Sequence, residues 1–225
     1  AKQSLAAAEK IKAAGVVDYP LGGTFKTGWN LAQEFVNMYL GEGGNFVDAD
    51  NNPSINTPEG IKALETLKAM TEYMDPEYLV SDSTYVQQQF QQGKIAIANL
   101  WASRAAAMDD AAESQVVGKV KMASAPMGSA APATSIWWDG MVFAANMTDA
   151  QADAAFQVAM EGIDEEMVKA NNDAAVWLIP GYEVGPLAAG AAASAANGGR
   201  PYPASGPMGI MHTVLGNGIA DYLTG

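Results

Sequence analysis

Residues 82–99 constrain the fold class more than any other stretch of this chain. Val86 and Phe90 recur at helical spacing over residues 82–92, and Gly93 closes the helix in the left-handed conformation that glycine tolerates. Lys94-Ile95-Ala96-Ile97-Ala98-Asn99 then switches at once to a period of two. A helix passing through one glycine into a strand is a unit of an α/β chain. The rest of the sequence repeats the alternation. Leu5, Ala8, Ile11 and Ala14 mark a helix over residues 1–14 that stops at Gly15, and Tyr19-Pro20-Leu21-Gly22-Gly23 reads as a turn. A helix over residues 30–40 places Leu31, Phe35 and Met38 on one face and ends at Gly41, Gly43 and Gly44. Residues 45–55 suit a hairpin turning through Asp50-Asn51-Asn52-Pro53.

Thr57-Pro58-Glu59 starts a further helix, with the Thr hydroxyl as cap and Pro where its missing donor costs nothing. Ile61, Leu64, Leu67 and Met74 are expected to face the core until Asp75-Pro76 stops it. Residues 116–122 and 141–145 read as strands, and Thr148 to Gln151 has capping-box spacing ahead of a helix carrying Phe156 and Met160. The stretch from Leu187 to Pro207 is rich in Ala, Gly and Pro, and a last helix begins near Met208. No internal repeat is present.

Composition narrows the function. The 225 residues suffice for a sizeable core, and 49% hydrophobic against 16% charged residues is the balance of a folded chain. The 12 scattered Lys and Arg against 25 Asp and Glu give a net charge of −13, a field that repels phosphate backbones and anionic lipid surfaces. With no Cys, disulfides and thiolate metal sites are excluded. No apolar run approaches the roughly 18 residues of a membrane span. The chain opens inside a helix, without a basic leader, as if the N-terminal part of a longer protein were absent.

Three stretches together resemble the extracellular solute-binding proteins of the maltose-binding type. They are residues 45–74 with Ser54-Ile55-Asn56-Thr57-Pro58-Glu59-Gly60-Ile61-Lys62-Ala63-Leu64, then Phe90-Gln91-Gln92-Gly93-Lys94-Ile95-Ala96-Ile97 followed by Trp101, then Trp138-Asp139-Gly140 to Asn146 with the helix after Thr148. Each is weak alone; their shared order is the signal. The resemblance implies a periplasmic-binding-protein type II fold, two α/β lobes closing on a ligand. In that frame residues 1–147 form a C-terminal-type α/β lobe, 148–204 a helical lobe-crossing segment and 205–225 a return helix to the first lobe, with the N-terminal lobe largely absent. It also implies a carbohydrate ligand, the membrane permease subunits of an ABC importer as partners, a monomer that is periplasmic, or extracellular and membrane-associated if the parent is lipidated, no cofactor and no nucleic acid.

Trp101 leads the candidate ligand-binding residues. An indole stacks on the C–H face of a sugar, and the ends of strands are where α/β sheets place ligands. Arg104, three residues on, is a donor for sugar oxygens or a helix cap. Of Trp137 and Trp138, adjacent and so pointing to opposite sides, one is expected to face the cleft; Asp139 can accept from hydroxyl groups and Gly140 can let backbone approach the ligand. Phe25 and Lys26 precede the 30–40 helix where the resemblance places ligand contacts, while Trp29 reads as that helix's buried first turn. Met211 and His212 fall where relatives carry stacking aromatics near the last helix, which makes His212 a candidate ligand-binding residue; the departure there leaves the sugar open, and His212, the sole histidine, reads more readily as a surface or satisfied helix residue than as a ligand.

Asp48, Asp50, Asn52 and Glu59 match positions 1, 3, 5 and 12 of a calcium loop, but Pro53 stands where that loop requires Gly, so no metal site is assigned. Catalysis is disfavoured because there is no Cys, one isolated His, and no nucleophile elbow, phosphate loop or dinucleotide fingerprint. The alternatives to a sugar-binding protein are a binding protein for another solute such as a polyamine, a carboxylate-pair glycosidase, and a structural or adhesive module.

Overall fold

The structure is a computed structural model that describes residues 2–177, 179–186 and 188–225; Ala1 and Leu187, which fall in two of the expected segments, lie outside the described residues. The chain runs α1 (Lys2–Ala14), β1 (Tyr19–Gly22), α2 (Trp29–Glu42), α3 (Pro58–Thr71), α4 (Ser83–Gln91), β2 (Ile95–Ala98), β3 (Ser135–Ile136), α5 (Asp149–Gly162), α6 (Glu165–Ala170), α7 (Ala189–Ala196), β4 (Arg200–Pro201) and α8 (Gly206–Thr224). β1 and β2 pair in parallel, Tyr19 opposite Ile95 and Leu21 opposite Ile97, as do β3 and β4. The α/β class is as expected. No helix among the described residues is long and apolar enough to cross a membrane.

Helix α2 is the centre of the molecule. Every residue from Leu31 to Glu42 is buried, with α3 and α8 packed along it. The core joins Leu21 and Phe25 near β1, Phe35, Tyr39 and Leu40 of α2, Ala63 and Leu67 of α3, and Met208, Ile219 and Leu223 of α8. A helix buried on all sides must satisfy its own polar side chains. Glu42 accepts from Lys62 and from Ser129 at 2.6 Å, and Glu34 accepts from Thr24. The buried stripe of α8, Met208, His212, Gly216, Ile219 and Leu223, follows helical spacing. A Cβ at Gly216 would run into the Gly28 carbonyl, so glycine lets α8 lie directly against the start of α2.

The helix starts fall where their caps place them. The Thr57 hydroxyl accepts from Gly60 N, Asp82 from Thr84 and Tyr85, and Thr148 forms a complete capping box with Gln151. The 45–55 hairpin is one antiparallel bridge, Val47 with Pro53, and Asp48 uses both carboxylate oxygens inside the turn, on Asp50 and Asn52.

Other expectations fail for identifiable reasons. Residues 19–23 are not a turn but begin with β1, because Pro20 lacks an N–H that an edge strand can do without. Residues 116–122 form no strand; Gly118 takes φ 68° and breaks the extension. Residues 141–145 form none either, and with Val142 fully exposed there is no neighbouring strand to pair with. Ile61, expected to face the core, points to solvent. The alanine-rich stretch holds α7, since alanine is the best helix former. α8 packs on α2 and α3, and Met208, Ile219 and Leu223 join their core.

Candidate ligand site

Five rings from five parts of the chain meet where β2 ends. Trp101 lies three residues beyond β2 and caps the 3-10 helix at residues 102–109. Trp29 opens α2, Trp137 follows β3, Tyr202 follows β4, and His212 projects from α8. Trp29 stacks on His212 with centroids 4.7 Å apart and on Trp101 at 6.1 Å. Trp137 stacks on Tyr202 at 4.2 Å and presents itself edge-on to Trp101 at 5.7 Å. Trp29 is 48% exposed and Trp137 37%, whereas His212 beneath them is 2% exposed. The rings therefore form a half-open aromatic surface over a buried histidine.

Hydrogen bonds hold this surface from below. His212 Nε2 lies 2.9 Å from the Trp29 carbonyl oxygen, which only accepts, so that nitrogen carries the proton and Nδ1 accepts from the Tyr202 hydroxyl at 2.8 Å. Burial holds the His212 pKa below its usual range, against the raising effect of the Trp29 carbonyl, and the ring is neutral. Burial likewise raises the Tyr202 hydroxyl. The Trp137 indole N–H donates to Ser135 Oγ at 2.9 Å; that oxygen also accepts from Gln33 Nε2 at 2.7 Å and donates to Asn37 Oδ1 at 3.0 Å. Ser135 is saturated and the Trp137 N–H is spent inside the protein. What Trp137 offers a ligand is its face.

The expected residues divide. Trp101, Trp137 and His212 come together. Of the tryptophan pair, Trp137 faces the cluster, while Trp138 is 76% exposed and lies over Gly140 of its own loop. Asp139 and Gly140 are exposed beside it. Phe25, expected at the ligand, is instead fully buried edge-on to Tyr78, since its ring completes the core under α2. Lys26 pairs with Asp82 at 3.1 Å, and Arg104 donates to Gln87 at 2.7 Å, so both cations are engaged with α4 or its cap. Met211 packs at the edge of the core. Sequence reasoning places Trp29 in the core and passes over Tyr202 and Ser135. The available signal was Pro201-Tyr202-Pro203, an aromatic held between two prolines that restrict its backbone just before α8.

Residues 2–155 match the model of the bacterial extracellular solute-binding protein family, more than half of the chain. The chain belongs to that family. No curated protein matches this solute-binding protein. Among solved structures, an ABC transporter solute-binding protein of Agrobacterium radiobacter in complex with ribitol is 25% identical with a TM-score of 0.81, covering 100% of this chain and 59% of its own. Maltose-bound T. maritima MalE3 is 16% identical with a TM-score of 0.75, covering 99% and 60%. An Agrobacterium vitis solute-binding protein with bound D-mannitol is 20% identical with a TM-score of 0.74, covering 99% and 60%. The present chain thus spans about three-fifths of each, and shares their type II binding-protein fold.

Proposed function

We propose that this chain forms a wall of the ligand cleft of an ABC importer's solute-binding protein, and that the ligand is a neutral polyhydroxylated molecule, a sugar or a polyol. The observation that carries the reading is the half-open cluster of Trp29, Trp101, Trp137, Tyr202 and His212 at the end of β2. Its chemistry suits the C–H face of a carbohydrate, and the rings together with Ser135, Asn37 and Gln33 are uncharged. A polyamine would call for carboxylates around the rings to neutralise it, and a glycosidase for a pair of them flanking the ligand. The relatives that bind ribitol, D-mannitol and maltose support the same ligand class.

In this reading the protein captures ligand outside the cytoplasm, hands it to the membrane permease and turns nothing over. The test is calorimetric and tryptophan-fluorescence titration with ribitol, D-mannitol, maltose and spermidine. Saturable binding of a sugar or polyol without product release is expected. A response to spermidine alone, or hydrolysis of maltose beyond one equivalent, defeats it.

A further inference from the structure

The protons carried by the five clustered rings are not all spent. Trp137 gives its indole N–H to Ser135, Tyr202 gives its hydroxyl proton to His212, and His212 gives its own to the Trp29 carbonyl. The indole N–H groups of Trp29 and Trp101, by contrast, have no acceptor among the described residues. These two rings stack on each other, with centroids 6.1 Å apart. Neither donor is sealed in. Trp29 is an exposed residue, and the Nε1 of half-buried Trp101 reaches solvent. The unpartnered side-chain atoms that are closed off from solvent, among the described residues, are instead Gln33 Oε1, Glu34 Oε2 and Tyr182 Oη.

We propose that Trp29 and Trp101 select the ligand as hydrogen-bond donors and not only by their faces: their two indole N–H groups are polar contacts that the ring cluster keeps for a ligand, and they bind two oxygens of one sugar or polyol. This rests on the proposed ligand site. An indole N–H donates and never accepts, so its partner must hold a lone pair. A hydroxyl or ether oxygen has two, and a protonated amine has none. The stacked pair therefore separates ligand classes that an aromatic face alone does not, because the face of an indole also attracts cations. Trp137 has a different part. Its N–H is committed to Ser135, so it adds a face to the site and no donor. In the free protein the two open donors are hydrated, and a ligand oxygen replaces that water. The net gain of such an exchange is small per contact but directional.

Proton–nitrogen spectra of the indole-labelled chain, titrated with ribitol, D-mannitol and maltose, test this. The 5 tryptophans give separate indole signals, assigned by replacing each in turn with Phe. Without ligand, the Trp29 and Trp101 N–H protons are expected to exchange rapidly with water and that of Trp137 slowly. At saturation with a ligand that binds calorimetrically, the Trp29 and Trp101 signals move downfield and become protected. Replacing the Trp101 indole by the isosteric benzothiophene, which keeps the face and removes the N–H, weakens binding of the same ligand about fivefold. Saturable binding that leaves either the Trp29 or the Trp101 N–H in rapid exchange overturns the proposal and leaves the functional reading standing, as does full affinity in the benzothiophene variant. If ribitol, D-mannitol and maltose all fail to bind in the calorimeter, the functional reading falls and takes this proposal with it.

Discussion

His212 shows how a residue can be both structural and central to a site. Its two nitrogens bridge the Trp29 backbone and the Tyr202 hydroxyl, and its face supports the Trp29 ring. Replacing it by Phe keeps the stacking but leaves both partners unpaired in a buried place. We expect His212→Phe to lower stability by about 1–3 kcal/mol in urea unfolding. Trp101→Ala, at a half-buried ring, should instead weaken sugar or polyol binding by about 1–3 kcal/mol with little change in melting temperature; a large drop in melting temperature would mark Trp101 as core.

Glu34 adds a pH signature. Burial, against the opposing hydrogen bonds of Thr24, raises its pKa above 4.5, so the folded chain holds this proton where the unfolded chain has lost it. The stability it contributes is complete below 4.5 and declines as pH rises through the folded value. Glu34→Gln should abolish that decline and be the more stable protein at neutral pH, as melts across pH 4 to 8 will show. Equal slopes in both proteins would place the titration elsewhere.

At the scale of elements, what the sequence revealed depended on the range of the interaction. Helix starts were legible because their chemistry is local: Thr57, Asp82 and Thr148 each bond a backbone N–H within three residues. The β2 strand was legible from period two and from Gly93. β1 was hidden by Pro20 and its glycines, and the aromatic cluster was only partly visible, because Trp29 and Tyr202 meet Trp101 and Trp137 through packing between α2, α8 and β4 that no spacing rule encodes. The contact of α8 with α2 governs that packing. Gly216 lies one helical turn beyond His212, against Gly28, the residue before Trp29. Gly216→Ala improves the intrinsic propensity of α8 yet must push it off α2. The expected outcome is a less stable chain with a changed tryptophan emission spectrum, reporting separation of Trp29 from His212. An unchanged spectrum would mean that α8 slides without parting the rings.

The whole molecule is uneven. Its first hundred residues and α8 share one dense core, whereas residues 141–143 and α5 expose Met141, Val142, Phe143 and Val158 around an open apolar trough. Burying one such side chain yields roughly 1.5–3 kcal/mol, so several on one face favour association between copies. The net charge of −13 opposes it, and that repulsion is screened by salt over about 10 Å at 0.1 M. We therefore predict that self-association of this chain grows with salt, the reverse of an assembly held by ion pairs, and that sedimentation velocity will show it at high concentration. Val142→Asp with Val158→Asp places charge in the trough and should hold the chain monomeric at every salt concentration. Neither residue touches the aromatic cluster, so ligand titration of the double variant should match the wild type; weakened binding in the monomeric variant would mean that the cleft is completed by a second copy.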